Sequence, residues 1–242
     1  EARDAFSGVK LWERPMGHWN WTVWKPELLE LEDWTSLIAQ RRLVPATLPR
    51  RLVAVEGRVY LTFGIGEPVT VLDATSGETI RVYEGTKGAD EILVDDVLTG
   101  PLVRNGSEPL PTPKGVLLLT VRDAQRETSL TNPELSLQAR SSRSPMDVQE
   151  DGRIVALEAD TGRLLWETPE DRVVPFTLTA ENNRVFYHNS EELVCLDETS
   201  GQELWRQPDD TTISNRWDVR HILIAHEDLV FLSLPKSKCC AF

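Results

Sequence analysis

One phrase recurs in this chain and decides its fold. Residues 154–169 read IVALEADTGRLLWETP, and residues 193–208 read LVCLDETSGQELWRQP. The two stretches align without a gap, and Gly162 and Gly201 hold the same position in them. Similarity inside a chain at a period of about 40 residues is typical of repeat architectures, in which each repeat is one supersecondary unit.

Two more copies of the phrase lie nearer the N-terminus. Residues 69–81 read VTVLDATSGETIR, with Arg81 where the first two copies have a tryptophan and with Val82 and Tyr83 after it. Residues 3–15 read RDAFSGVKLWERP, with Gly8 and Trp12 in the shared positions. Four copies in one chain predict a repeat protein rather than a set of unrelated hairpins.

The phrase has a direct physical interpretation. An apolar, β-favouring run predicts a strand, and the acidic and Thr/Ser residues after it bond to the backbone of a turn. The glycine supplies the positive φ that closes a tight hairpin. In the second strand, Leu164 and Trp166 are two residues apart and lie on one face. We therefore expect Trp12, Trp166 and Trp205 to be buried between repeats.

A second hairpin precedes the phrase in each repeat. Residues 173–179 and 184–188 predict two strands around a turn at residues 181–183, and residues 51–55 and 58–63 predict a similar pair. Four short antiparallel strands every ~40 residues form the blade of a β-propeller. The sequence predicts an all-β propeller with full blades at 51–84, 91–168 and 173–206, and with half-blades at 2–14 and 219–234.

The repeated phrase resembles a known family. The pattern Leu-Asp/Glu-x-x-Thr/Ser-Gly-x-x-Leu-Trp at residues 157–166 and 196–205 is similar to the tryptophan-docking motif of pyrroloquinoline-quinone (PQQ)-like propellers. That family includes quinoprotein alcohol dehydrogenases and cofactor-free members such as the lipoprotein of the outer-membrane β-barrel assembly machinery. The resemblance is closer to the non-enzymatic members, and it implies a periplasmic or cell-envelope location.

The whole chain, residues 1–242, is expected to form one propeller domain or a segment of a larger propeller. The two half-blades could pair to close a four-bladed ring, which propellers permit. A segment of a seven- or eight-bladed ring is the favoured alternative, because the chain begins inside a repeat with no signal peptide. We leave both open here, together with the oligomeric state.

Two inserts break the period. Residues 16–49 are rich in tryptophan and are predicted to be partly helical, whereas residues 99–149 are predicted to be a long loop around one strand. Loops on a rigid scaffold are the usual place for binding sites. The candidate partner contacts are therefore Trp19, Trp21, Trp24 and Trp34. The alternative is that the tryptophans of this insert only cover one end of the propeller.

Composition and motifs exclude several classes of function. The net charge of −13 argues against a nucleic-acid binder, and no run of ~18 apolar residues predicts a membrane span. No histidine or cysteine spacing suggests a metal site, and no triad or carboxylate pair suggests catalytic residues. A cofactor-free scaffold for a protein partner is thus favoured over an enzyme. The alternative is a fragment of a PQQ-dependent dehydrogenase, which the resemblance implies would hold PQQ and calcium. The vicinal pair Cys239 and Cys240 is the only feature of the sequence that resembles such an enzyme.

Overall fold

The computed structural model describes most of the repeat-bearing chain. It covers residues 1–15, 51–95 except 65, 115–122, 151–208 except 175 and 190, 222–234 except 228, and 238–241. The predicted helical insert at 16–49 and most of the predicted loop at 99–149 lie outside these residues. In the described part of the chain no helix is long and apolar enough to cross a membrane.

The described residues form eighteen strands, all paired antiparallel. They are β1 (Ala2–Arg3), β2 (Lys10–Trp12), β3 (Leu52–Val55), β4 (Arg58–Thr62), β5 (Val69–Asp73), β6 (Thr79–Tyr83), β7 (Ala89–Asp95), β8 (Val116–Arg122), β9 (Asp151–Glu158), β10 (Leu164–Glu167), β11 (Asp171–Arg172), β12 (Thr179–Glu181), β13 (Arg184–His188), β14 (Glu192–Asp197), β15 (Glu203–Pro208), β16 (Ile222–His226), β17 (Leu229–Leu234) and β18 (Lys238–Ala241). A single 3-10 turn, Glu84–Thr86, is described among them.

The strands form five sheets in chain order. Sheet 1 is β1-β2, sheet 2 is β3-β4-β5-β6, sheet 3 is β7-β8-β9-β10 with β11 beside β9, sheet 4 is β12-β13-β14-β15, and sheet 5 is β16-β17-β18. Each complete sheet is a meander whose first strand is innermost. The predicted propeller of four-stranded antiparallel blades is confirmed.

Two details differ from the sequence-based expectation. Sheet 5 has a third strand, β18, so it is one strand more than the expected half-blade. The first strand of sheet 4 is shorter than expected and starts only at Thr179. The backbone of Phe176 has φ +65°, a left-handed conformation that a strand does not allow, and this turn delays the start of β12.

The hydrophobic core is divided among the spaces between sheets. One cluster, including Tyr60 and Leu117, lies between sheets 2 and 3, and another, including Ile154 and Leu178, lies between sheets 3 and 4. A third cluster, including Phe186 and Leu232, lies between sheets 4 and 5. The innermost strands meet in series, β3 with β7, β7 with β12 and β12 with β16. Sheets 3 and 4 are therefore each stabilised mainly by their two neighbours, as in other repeat folds.

Trp166 joins sheets 3 and 4. It is 7% exposed, and its indole Nε1 donates to the carbonyl oxygen of Glu198 at 2.6 Å. Its ring lies directly over Gly201, where a Cβ would approach the ring to 2.6 Å. Gly201 has φ +70°, so this position needs glycine both for its backbone conformation and for the ring above it. Burial of Trp166 agrees with the sequence-based expectation.

Trp12 makes the same contact one blade earlier. Its Nε1 donates to the carbonyl oxygen of Ala74 at 2.8 Å, and a Cβ at Gly77 would lie 2.6 Å from its ring. The accepting carbonyl is again three residues before the glycine. We call this arrangement the aromatic–glycine joint: an aromatic side chain of the last strand packs on the turn glycine of the next sheet and bonds the carbonyl three residues upstream.

Tyr83 supplies the joint between sheets 2 and 3, where the sequence has Arg81 in the tryptophan position. Arg81 pairs with Val71 and is exposed. Tyr83 lies two residues further on, on the same face of β6, and its hydroxyl donates to the carbonyl of Ala159. A Cβ at Gly162 would be 3.1 Å from the Tyr83 ring. The aromatic–glycine contact is thus made by Tyr83, which lies two residues further along the strand than the tryptophan position.

Trp205 corrects the expectation that every repeated tryptophan is buried. It is 36% exposed, and its ring lies beside that of Phe186 of its own sheet, with ring centroids 6.0 Å apart. Among the described residues no glycine turn packs on this ring, in contrast to Gly201 on the ring of Trp166.

The joint predicts a large difference between two glycine variants. Gly57→Ala places a side chain at φ +74° with nothing within 4 Å of its Cβ, so we expect only the left-handed penalty of ~1–2 kcal/mol. Gly201→Ala carries the same penalty and also forces its Cβ against Trp166, which adds ~1–3 kcal/mol of overpacking. Urea unfolding of both variants measures the difference. Equal losses would show that the ring does not depend on the glycine surface.

Candidate partner-binding surface

The meander topology gives the propeller two distinct faces. The turns that carry the joint glycines, including Gly77, Gly162 and Gly201, all lie at one end of the strands, which we call the turn face. The connections from one sheet to the next, such as residues 84–88 and 168–178, lie at the opposite end, which we call the crossover face.

The candidate contacts Trp19, Trp21, Trp24 and Trp34 lie outside the described residues, so their placement stays a prediction. Their points of attachment are described. Strand β2 runs from the turn face to the crossover face, and β3 begins at the crossover face. The tryptophan-rich segment therefore leaves the propeller after Pro15 and rejoins it at Arg51 on the crossover face.

A second segment is attached to the same face. Strand β8 ends at Arg122 and β9 begins at Asp151, and these two ends lie side by side because Arg122 pairs with Gly152. Residues between them therefore leave and re-enter at the crossover face of sheet 3, one blade away from the tryptophan-rich segment. The topology brings the two attachments together, although 100 residues of sequence separate Arg51 from Asp151.

The base of the second segment is fixed by a buried ion pair. The Arg122 guanidinium bonds the carboxylate of Asp90, and the two side chains are only 11% and 9% exposed. The same guanidinium donates to the carbonyl oxygen of Val173 at 2.7 Å, which lies on the connection into sheet 4. A charged hydrogen bond of this kind is among the stronger ones, so it holds sheets 3 and 4 at a fixed angle beneath the segment.

A single residue at the inner edge of the crossover face links three sheets. The backbone N–H of Phe176 donates to the carboxylate of Glu91 on β7 at 3.0 Å, and Glu91 is almost fully buried. The carbonyl oxygen of Phe176 accepts from the backbone N–H of Leu223 on β16 at 3.3 Å. The left-handed backbone of Phe176 aims these two groups in their directions. We call this arrangement the Phe176 bridge, and sequence reasoning missed it because no motif marks it.

The turn face carries a carboxyl pair instead. Glu198 is 1% exposed, and neither of its carboxyl oxygens meets a hydrogen-bond donor. The carboxyl of Asp95, at the end of β7, faces it across the space between sheets 3 and 4. Burial and this neighbouring carboxyl raise the pKa of Glu198 to about 8. The equivalent positions in the other joints are Ala74 and Ala159, so a charged residue at an alanine position was the available signal.

Other shifted groups belong to the packing between strands. Burial raises the pKa of the Cys195 thiol to about 11, so it is an unreactive core residue. The Tyr187 hydroxyl donates to Asp171 at 2.9 Å, and Arg58 pairs with Asp160 of the next sheet. Within the described ranges, no three His, Cys, Asp or Glu side chains are grouped closely enough to hold a metal ion.

The raised pKa of Glu198 makes the stability of the sheet 3–sheet 4 joint depend on pH. The folded state favours the protonated carboxyl, so its contribution is complete below the unfolded pKa near 4.5 and is lost as the pH rises through about 8. We expect Glu198→Gln to match the parent near pH 5 and to exceed it in urea midpoint at pH 9. Asp197→Asn is the control, because hydrogen bonds from Ser200 lower the pKa of Asp197 and its effect falls at acidic pH. A difference in urea midpoint between Glu198→Gln and the parent that stays constant from pH 5 to 9 would contradict the raised pKa of Glu198.

Comparison with known proteins gives one family match. Residues 146–242 match the family model described as outer membrane protein assembly factor BamB. No curated protein sequence matches the chain.

Solved structures with a similar fold are distant in sequence. The computationally designed Ika4 protein is 12% identical, with a TM-score of 0.48 over 79% of this chain and 88% of its own. BamB from Moraxella catarrhalis is 18% identical, with a TM-score of 0.41 over 79% of this chain and 44% of its own. A quinohemoprotein alcohol dehydrogenase from Pseudomonas putida HK5 is 15% identical, with a TM-score of 0.38 over 76% of this chain and 28% of its own. The chain thus spans less than half the length of the latter two proteins.

The repeated phrase and the four-stranded antiparallel sheets make the chain a β-propeller of repeated blades, and its residues 146–242 are similar to the PQQ-like repeat family.

Proposed function

We propose that this protein is a non-catalytic scaffold that binds a protein partner through its crossover face. The observation that carries the proposal is that two long segments are attached there, one between Pro15 and Arg51 and one between Arg122 and Asp151, whereas the segment between Asp95 and Gly115 is attached at the turn face. Binding residues are commonly carried by such segments on a rigid frame. The first segment contains Trp19, Trp21, Trp24 and Trp34, and tryptophan is enriched among the residues that dominate interface energies.

The frame beneath these segments suits a binding role. The Asp90–Arg122 ion pair and the Phe176 bridge fix the mutual positions of sheets 3, 4 and 5 on this face. A fixed base lowers the ordering cost that a partner would otherwise meet on binding. The net charge of −13 favours a partner with a neutral or basic contact surface.

The family match supports both the role and the compartment. The matching model describes an outer membrane protein assembly factor, which implies a protein partner and a cell-envelope location for this chain. We include both in the proposal.

The second candidate is a fragment of a PQQ-dependent dehydrogenase. The neighbouring Cys239 and Cys240 favour it, and both lie on β18. Enzymes of this kind hold PQQ with calcium, so cofactor binding separates the two candidates.

We expect that the purified chain does not bind PQQ. Added PQQ and Ca²⁺ should leave the thermal unfolding midpoint within one degree or so of the apo value, and alcohol should give no dye reduction, because the scaffold needs neither. Differential scanning fluorimetry and a dye-reduction assay measure both. Ca²⁺ alone and PQQ alone are the controls. A rise of several degrees that needs both, together with turnover, would establish the dehydrogenase instead.

The aromatic segment gives a second expected outcome. The chain and its Trp19→Ala, Trp21→Ala, Trp24→Ala, Trp34→Ala variant are immobilised and exposed to a cell-envelope extract of the source organism. We expect the parent to retain one protein from the extract, and the variant to retain at least tenfold less of it, since truncating several interface tryptophans removes the dominant contacts. Ile80→Ser, an exposed change on β6, is the matched control and should retain it. Equal retention by the parent and the four-tryptophan variant would place binding elsewhere.

A further inference from the structure

The interface between sheets 3 and 4 carries two acidic residues where the interface between sheets 2 and 3 carries two apolar ones. Glu198 supplies the carbonyl of the joint between sheets 3 and 4, as Ala159 does between sheets 2 and 3. Asp95 ends β7 as Val55 ends β3, and each pairs with the first residue of the following strand. Ala159 lies in a hydrophobic cluster, and Val55 packs against that cluster. The same two positions are therefore apolar in one interface and acidic in the next.

The side chain of Asp95 lies on the side of β7 that faces sheet 4. Alternate residues of a strand face opposite sides. Val94 packs against the cluster between sheets 2 and 3, whereas Leu93 packs against the cluster between sheets 3 and 4. Asp95 shares the face of Leu93, and its carboxyl comes within hydrogen-bonding reach of the Glu198 carboxyl. Two carboxyl groups from different sheets thus meet across one interface.

Glu198 is the buried member of this pair. Its side chain is 1% exposed, and in the described chain no donor reaches either of its carboxyl oxygens. The charged groups that act on it are Asp95 and Asp197, and both are acidic. Asp197 is held in its own turn, where its carboxylate accepts from the N–H and the hydroxyl of Ser200. Buried carboxylates are ordinarily paired or bound to a metal ion, so a cation is the partner that we expect here.

The ligand atoms indicate which cation the pair suits. Carboxylate oxygens are hard ligands, which favour Mg²⁺ and Ca²⁺ over metals that prefer nitrogen or sulfur. Ca²⁺ takes ~6–8 oxygen ligands, and two carboxylates supply fewer. Mg²⁺ is commonly held by one or two carboxylates and keeps several waters, so it does not need the third acidic side chain that the described residues lack here. Asp95 is partly exposed, so water reaches that side of the pair.

We propose that Asp95 and Glu198 bind one Mg²⁺ ion between sheets 3 and 4 at the turn face. The two carboxylates ligate the ion, and water completes its coordination from the side of Asp95. The positive charge of the ion removes the repulsion between two acidic groups that the low-dielectric interface would otherwise strengthen. Glu198 then has a partner for its buried oxygens without any further side chain.

The ion links two parts of the interface that the joint alone does not connect. Asp95 stands on the innermost strand of sheet 3, whereas Glu198 is in the turn of sheet 4 that receives Trp166 from the outermost strand. Bound Mg²⁺ therefore ties β7 to the same turn that the Trp166 indole already holds. A proton can neutralise the same pair, and the ion displaces it, because carboxylates bind metals in their deprotonated form.

Binding of Mn²⁺, which favours the same octahedral oxygen ligands as Mg²⁺, tests the proposal by electron paramagnetic resonance. At pH 8, where protons compete less for the pair, we expect the EDTA-treated parent to bind one Mn²⁺ per chain that NaCl does not displace. Mg²⁺ should displace this ion at a lower concentration than Ca²⁺. Mg²⁺ should also raise the urea midpoint above its value in EDTA at equal ionic strength, because the ion binds the folded state.

The preceding interface supplies a variant that is expected to fold. Asp95→Val combined with Glu198→Ala places the residue types of Val55 and Ala159 at both positions, and should lose both the Mn²⁺ site and the effect of Mg²⁺ on the urea midpoint. Glu198→Gln keeps the size of the side chain and should weaken Mn²⁺ binding by more than the ~10–100-fold that loss of a residue beside a metal ligand costs. Asp73→Asn removes one carboxylate from the equivalent turn of sheet 2 and should bind Mn²⁺ as the parent does.

Three results would overturn the proposal. They are a parent that binds no salt-resistant Mn²⁺, equal Mn²⁺ binding by the parent and the folded double variant, and displacement of Mn²⁺ by Ca²⁺ at a lower concentration than by Mg²⁺. The proposed partner binding at the crossover face is independent of all three, since it concerns the opposite end of the strands. Equal retention by the four-tryptophan variant would likewise leave the Mg²⁺ site unaffected.

Discussion

An aromatic ring lying on a glycine is the contact on which this architecture depends. A β-sheet with one strand pattern can pack on a neighbour in several ways, because hydrophobic contact has no direction. The joint removes that freedom. The ring requires a bare backbone beneath it, and the indole or phenol group requires one particular carbonyl beside it, so both the distance and the angle between successive sheets are defined.

The joint tolerates a change of residue if its geometry is kept. Tyr83 replaces a tryptophan from two residues further along the strand, and its ring sits 3.1 Å from a Cβ at Gly162 where the indoles approach to 2.6 Å. The slightly looser fit goes with a smaller side chain. What the repeat preserves is thus a carbonyl and a glycine in a fixed turn, and the aromatic partner adapts to them.

The sequence predicted the fold because its signal is local and repeated. Glycine, acidic residue and tryptophan recur at fixed spacing, and each has a backbone or packing reason to be there. The same-face position of Tyr83 could also have been deduced from spacing alone. The exposure of Trp205 could not, since it depends on the neighbouring sheet. Nor could the burial of Glu198, because a glutamate in a turn is ordinarily predicted to face water.

The candidate surface was only half predictable. The four tryptophans of the insert stand out in the composition. The face of the propeller at which the insert is attached follows from the directions of β2 and β3, and these are known only once the strand pairing is known. The short β12 and the Phe176 bridge could not be predicted from the sequence, because no sequence motif indicates a phenylalanine in the left-handed conformation. Such a residue is held in place by its surroundings, here by Glu91 on one side and Leu223 on the other.

The Phe176 bridge also has a mechanical meaning. The aromatic–glycine joints hold the sheets together at their outer strands, whereas this one residue ties sheets 3, 4 and 5 at their inner strands. If the outer strands of neighbouring blades move apart, the inner strands of sheets 3, 4 and 5 therefore stay joined through Phe176. Force applied to a segment rooted in sheet 3 passes through that residue to sheet 5, two blades away.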